Sequence, residues 1–411
     1  MRSWTESWSA APASTRTTGR SWSASEAELT SLSDAALLAH LVAINTTSRL
    51  SNLPLADFVS DYLDRPGVRI SRNFSPDGTK ANLHVAAGPH DGSGAGLTLS
   101  GHMDVVPAEE PGWRSDPFVL TEVDDTLVGR GAADMKGFLA LAINRLAALD
   151  PARLHAPLVL LFTYDEEVGT LGARRFVESW PEPERLPRDV LIGEPTSLQV
   201  VRLHKGMLRV QLTFEGQAAH SGYPHLGRNA IEPAGRAIVA LAELRRVLEA
   251  ERPLHGEHFP EVPFAPLNVA TVAGGSAINV IPDRCLIQIG VRLLPGMPAA
   301  SMVERIRTAV AESLPDQSFS LELLSESPAM VLPEEEALHR ELCDMVEQRG
   351  TRSVAFATDA GWLQTAGLRC VLFGPGSIEV AHRANEFVPR DELRRAGQIV
   401  QRLIHRRCGG G

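Results

Sequence analysis

The chain has 411 residues, with 40 Lys and Arg against 50 Asp and Glu and a formal net charge of −10. At ~100–200 residues per domain that is room for two or three domains. The acidic balance excludes the overall positive field on which binding to nucleic acid or an anionic membrane draws.

Residues 1–27 are rich in Ser, Thr, Ala and Trp but lack the continuous apolar core of a signal peptide, and they are expected to be a disordered N-terminal extension. From about 28 to 205, short apolar runs at 97–100, 158–163 and 190–192 alternate with helical patterns. In one of these, Asp134 to Leu149, Phe138, Leu141, Ala142, Leu146 and Leu149 recur at helical spacing. Strands alternating with helices predict a mostly parallel sheet covered on both faces. Between 206 and 325 the order changes to strand (207–216), helix (229–250), strands (267–273 and 285–293), helix (298–313) and strand (318–324), the split βαβ-βαβ unit of ferredoxin-like folds. The first pattern then resumes to about 407, with strands near 353–356 and 370–373, a helix to about 404 and a frayed Gly tail. The expected fold class is therefore α/β: one discontinuous domain, 28–205 with 326–407, interrupted by an inserted α+β domain at 206–325.

The acids and histidines of interest follow the short strands. Gly101-His102-Met103-Asp104, Asp165-Glu166-Glu167 and Gly193-Glu194-Pro195 each end one, Asp134 follows the Gly129-Arg130-Gly131 turn and is expected to open a helix, and His382 follows the Gly374-Pro375-Gly376 loop. In an open parallel sheet, ligands collect at the carboxyl ends of the strands, so these groups converge on one crevice. Two imidazoles with several carboxylates suit zinc, cobalt or manganese. Five ligands with one carboxylate to share point to two ions ~3.5–4 Å apart, bridged by that carboxylate and a water. Four cysteines, Cys285, Cys343, Cys370 and Cys408, lack zinc-knuckle spacing and imply a reducing compartment. With no apolar run of ~18 residues, a soluble cytoplasmic protein is expected.

These stretches, from Ser100-Gly101-His102-Met103-Asp104 through Ala133-Asp134-Met135-Lys136-Gly137, Asp165-Glu166-Glu167 and Gly193-Glu194-Pro195-Thr196-Ser197 to His382, resemble the M20 family of di-zinc metallopeptidases and deacylases over about residues 30–405. The resemblance implies two divalent metal ions per chain: His102 and Glu194 on one, Glu167 and His382 on the other, and Asp134 bridging. It implies Glu166 as the general base that deprotonates the bridging water, and Asp104 as the group that orients His102. It further implies His220, in Ala218-Ala219-His220-Ser221-Gly222, as an oxyanion donor delivered by the other subunit of a homodimer, with Asn279 and Arg292 holding the substrate's carboxylate. The inserted domain then serves as lid and dimerisation domain.

Stretches outside the metal shell, Gly193 to Gly206, Leu294-Pro295-Gly296-Met297 and Phe373 to His382, are similar to the acetylornithine deacetylase branch. This implies a small N-acylated amino acid as substrate. Gly290 departs from that branch, which often places an acid before the Val-Arg pair. Succinyl-diaminopimelate desuccinylase or another N-acyl-amino-acid deacylase is the alternative, an aminoacylase or metal carboxypeptidase ranks below, and a non-catalytic binding protein on the same fold is disfavoured by the complete ligand set. Of the 40 basic residues only Lys80, Lys136 and Lys205 are lysine. Two of them fall inside these motifs, where a compact ammonium differs in shape and hydration from arginine.

Overall fold

The structure, a computed structural model, describes residues 20–21, 32–89, 92, 94–180 and 186–409. Of the N-terminal segment only Arg20–Ser21 is described, as a two-residue strand beside Thr121–Val123. The rest of residues 1–27, and the tail residues Gly410 and Gly411, lie outside the described residues.

Ten strands build the two principal sheets: β1 (Val68–Phe74), β2 (Ala81–Ala87), β3 (Leu97–His102), β4 (Leu158–Thr163), β5 (Asp189–Ile192), β6 (Gly206–Glu215), β7 (Leu267–Gly274), β8 (Arg284–Leu293), β9 (Ser320–Ser327) and β10 (Arg369–Leu372). The larger sheet runs β10-β5-β3-β4-β2-β1. Its first four strands are mutually parallel, and β2 and β1 add an antiparallel edge. The continuous apolar run of β4 follows from burial on both faces. Leu158, Leu160 and Phe162 join one core, formed with helices α1 (Asp34–Ala43), α2 (Leu53–Leu63) and α3 (Gly137–Ala148). Val159 and Leu161 join the opposite core against α4 (Leu171–Ser179).

The four-stranded sheet, β7-β8-β6-β9, is antiparallel throughout, with its first strand between its third and fourth as in a ferredoxin-like unit. Alternate residues of β6 and β8, among them Val210, Leu212, Ile287 and Ile289, bury against α5 (Ile231–Ala250) and α6 (Ala299–Ser313) in a separate core. The opposite face is polar: Gln288 donates to Gln211 at 3.2 Å and accepts from Thr271 at 3.1 Å. The chain then returns through α7 (Ala337–Val346), α8 (Ala360–Thr365) and α9 (Arg390–Cys408), of which α7 and α9 pack on the first core and α8 on the opposite one.

Two features differ from the sequence expectation. The β1–β2 hairpin was not anticipated; its signals are the alternation in Val68–Phe74 and the Asp77-Gly78 turn. Asp134 does not open the helix. Its φ of −119° and ψ of 91° are non-helical, and α3 starts at Gly137, so the carboxylate projects from a turn ahead of the helix.

All three lysines reach backbone carbonyls. Lys136 donates to Leu41 O at 2.9 Å and Ile44 O at 2.8 Å, Lys205 to Val262 O at 2.6 Å and Phe264 O at 2.9 Å, and Lys80 to Ser48 O and to Asp165 at 2.5 Å. Burial lowers the Lys136 pKa to about 7 against the opposing pull of Glu386 and Asp104. With no exposed surface at Lys136, a guanidinium would overpack the site. Lys136→Arg is expected to cost about 1–3 kcal/mol, read as a lower denaturant midpoint; an unchanged midpoint would reduce the lysine pattern to composition alone.

Candidate metal centre

The carboxyl ends of three parallel strands supply the centre. His102 is the last residue of β3, Glu166 and Glu167 follow β4, and Glu194 follows β5. The last turn out of β5 is close-packed: a Cβ on Gly193 would lie 1.8 Å from the Phe138 ring, so only glycine lets the chain pass beneath α3 to Glu194. Asp134 stands at the middle. Its Oδ1 is 3.0 Å from His102 Nε2, and its Oδ2 is 3.4 Å from His382 Nε2. His382 Nε2 is also 3.0 Å from Glu167 Oε2. Donor atoms of His102, Asp134 and Glu167 all lie within 4.8 Å of one another. His102 and Asp134 are buried, whereas His382 is exposed, so the centre opens to solvent on that side.

Electrostatics show a site short of positive charge. Burial, with repulsion from Asp134, pushes Glu167 up to about 7, and it drives Glu194 well above the carboxylate range for the same two reasons. Glu166 is likewise raised well above that range by burial, against attraction from His102 and with repulsion from Glu194 and Glu167. His382 is raised to about 10 by its bonds to Asp134 and Glu167. Burial disfavours the His102 imidazolium, yet bonded Asp134 carries its pKa well above normal. Protons thus occupy places that a cation can take, and hard oxygen and imidazole donors in this number fit a divalent ion.

Asp104 departs in detail from its expected part. The acceptor for His102 Nδ1 is the main-chain carbonyl of Asp104 at 2.9 Å, while its carboxylate is 3.8 Å away. That carboxylate instead accepts from Ser48 Oγ at 2.7 Å and from the N–H groups of Glu166 and Glu167 at 3.0 and 3.3 Å. Either way the imidazole is held with Nε2 facing the centre.

The inserted-domain residues divide. Arg292 is half-buried, and its guanidinium feels the charges of Arg209 and Glu166. His220 and Asn279 are exposed and lie together: His220 bridges to Val280, and Asn279 O accepts from Ser221 N at 2.9 Å. Among the described residues neither His220 nor Asn279 makes a hydrogen bond or ion pair to the centre.

Two carboxyls were missed from sequence. Asp359 is buried, bonded to Thr163 through Oδ2, with Oδ1 unpartnered. Burial raises it to about 6. Glu386 is buried beneath the Asp134 turn; its signal was its place four residues after His382. A second group, His255, Glu257 and His258, also brings donors within 4.8 Å. There Arg202 Nη2 stands 3.5 Å from His258 Nε2, a cation where an ion would sit.

Residues 98–406 match the model of peptidase family M20/M25/M40. The chain belongs to this family. Curated relatives include an acetylornithine deacetylase of Myxococcus xanthus, 35% identical over 91% of this chain and 97% of the relative, and one of Pectobacterium carotovorum, 35% identical over 87% and 92%. Among solved structures, an M20 family metallo-carboxypeptidase from Sulfolobus solfataricus superposes with a TM-score of 0.70 at 16% identity, covering 90% of this chain and 98% of that one. A dinuclear metal-binding M20 peptidase from Bacillus subtilis superposes with a TM-score of 0.62 at 16% identity, covering 90% and 97%. The fold is that of the family, with a hydrolytic metal domain and an insert, and the chain is an amide-cleaving metallohydrolase. No described helix is long and apolar enough to cross a membrane.

Glu167 and His382 give the metal-free protein a signed pH dependence. Each holds its proton in the folded state above its ordinary pKa, 4.5 for Glu167 and 6.5 for His382. Their contribution to stability is present at low pH and is lost as pH rises through about 7 and toward about 10. Chelator-stripped protein should therefore melt at lower temperature at pH 8 than at pH 5.5. Added zinc should raise the melting temperature most at pH 8, where fewer protons compete; identical curves with and without metal would remove the metal centre.

Proposed function

We propose that the protein removes the acyl group, N-acetyl foremost, from an N-acylated amino acid such as N-acetylornithine. The observation that carries this reading is the Asp134 carboxylate with one imidazole on each oxygen, His102 on Oδ1 and His382 on Oδ2. Each histidine marks one cation position, and the carboxylate between them is the shared ligand. Glu194 completes the His102 side and Glu167 the His382 side; zinc is the first choice, with cobalt or manganese also suited to this donor set. When bound, two such ions supply Lewis acidity and lower the pKa of water.

Glu166 does the proton work. It neighbours Glu167 but is not itself spent on metal, so its carboxylate is free to take a proton from the attacking water and return it to the leaving amine. Asp104 holds the N–H groups of both glutamates and thereby fixes their side chains relative to His102. Arg292, within electrostatic reach of Glu166, binds the substrate carboxylate through its bidentate fork.

His220 Nδ1 accepts from Gly222 N at 3.0 Å, which leaves the proton on Nε2, ready to donate to an oxyanion. Its exposure, together with that of Asn279, Tyr223, Leu226 and Ile278, supports delivery of this loop to the centre of a second copy in a homodimer. A second reading, removal of a succinyl group, is favoured by Arg209. It sits diagonally from Arg292 on the polar sheet face, across from Gly290, and neither guanidinium has an ion pair among the described residues. Two free guanidiniums suit a substrate with two carboxylates.

Glu166→Gln is expected to keep its metal but lose at least ~10²-fold in kcat; near-normal turnover would remove Glu166 from this role. Rates on N-acetylornithine, other N-acetyl amino acids and succinyl-diaminopimelate, measured side by side, decide the substrate, and hydrolysis of none of them in the metal-loaded enzyme would overturn the deacylase reading. His220→Ala should lower kcat with metal content unchanged, and mixing it with Glu166→Gln should restore part of the activity through hybrid dimers. No recovery on mixing would place His220 outside the partner's centre.

A further inference from the structure

Glu386 carries no ligand role, yet its surroundings are the most fully bonded of any carboxylate near the centre. Oε1 accepts from Ala133 N and Asp134 N, both at 3.0 Å. Oε2 accepts from Gly131 N at 3.0 Å and Arg130 Nη1 at 2.8 Å. An ionised carboxylate offers about four lone-pair sites, and here all are used. Arg130 is in turn paired with Glu110, bonded to Pro107 O at 3.1 Å and stacked over Trp113 at 5.2 Å. The main chain closes the same contact, because Gly129 N donates to Glu386 O at 2.9 Å.

The turn from Gly131 to Asp134 is non-helical at its end, so its N–H groups have no helical partners there. Successive N–H groups of such a turn form a concavity that takes an anion, and Glu386 fills it. With the N–H of Asp134 tied on one side, its carboxylate is directed to the other, toward His102 and His382. Glu386 also lies four residues beyond His382, with positive φ at His382 (60°) and Asn385 (62°) between them, a tightly wound connection. Asn385 anchors it further by donating to Gly112 O at 2.8 Å and accepting from Arg114 N at 2.9 Å.

We propose that Glu386 is a positioning residue that preassembles both halves of the metal centre, holding the Asp134 turn and the His382 turn at a fixed separation before any ion binds. This rests on the di-metal reading above. An ion arriving at the His102 side then finds the shared carboxylate already aimed, and the second ion finds His382 in place, so the two sites fill as a unit.

The experiment is a zinc titration of chelator-stripped protein by calorimetry, with bound metal counted after desalting, for wild type, Glu386→Gln and Glu386→Asp. Glutamine is nearly isosteric but turns an NH2 toward two of the four donors. Outer partners of metal ligands commonly contribute 10–100-fold in affinity. Glu386→Gln is expected to lose at least about 10-fold for the weaker ion and to retain close to one ion after desalting, with kcat recovering at high zinc and KM little changed. A melting-temperature loss with two ions still held at wild-type affinity would overturn the proposal and leave Glu386 a purely structural group. If Glu386→Gln does not fold, Glu386→Asp, which keeps the charge but shortens the reach, is read by the same criteria. Wild type binding no metal would instead defeat the di-metal reading itself.

Discussion

Crowding of buried carboxyl groups at the ends of parallel strands is the constraint around which the molecule is arranged. Asp104, Asp134, Glu194, Asp359 and Glu386 are all buried, with Glu166 and Glu167 at the cleft. Burying charge without compensation is costly, and the fold answers in layers. Arg130 meets Glu386, Lys80 meets Asp165, and main-chain N–H groups meet Asp104. The innermost groups, Glu166, Glu167 and Glu194, have no such full answer, and their raised pKa values record that deficit. On the proposed di-metal reading, bound dications supply the charge that balances it.

The protein separates rigidity from access. The proposed ligands sit on strand ends or on turns pinned by buried bonds, with both faces of the sheet packed beneath them. Pinning of this kind limits how far donor atoms drift when no ion is present. The insert has its own core and a polar sheet face on which Arg209 and Arg292 have no ion pair among the described residues. It meets the discontinuous domain through Lys205, which donates to Val262 O at 2.6 Å and Phe264 O at 2.9 Å, and through Ser353 Oγ, which donates to His258 O.

The scarcity of lysine gains a physical sense in this setting. An ammonium can place three donors on carbonyls in a confined space, whereas a planar guanidinium cannot follow the same directions. Lys136 supports the chain around the Asp134 turn, Lys80 the Asp165 loop, and Lys205 the segment at 262–264. Arginine takes the planar tasks, as in the pairing of Arg130 with Glu386 and of Arg145 with Asp34.

Periodicity alone determined the α/β class, the inserted split unit and the strand ends that carry His102, Glu166, Glu167 and Glu194, because side-chain burial repeats with the local geometry of each element. The edge hairpin was harder to read, since its outer strand alternates only weakly between half-buried and exposed positions. Tertiary structure alone decided that Asp134 projects from a turn between two imidazoles, that the Asp104 carbonyl rather than its carboxylate meets His102, and that Asn279 belongs with His220 while Arg292 comes within electrostatic reach of Glu166. It also brought in Asp359 and Glu386, whose partners lie 196 and 252 to 256 residues away in the chain. Contacts over such separations leave no local pattern, because they depend on how packed elements meet rather than on how any one of them is patterned.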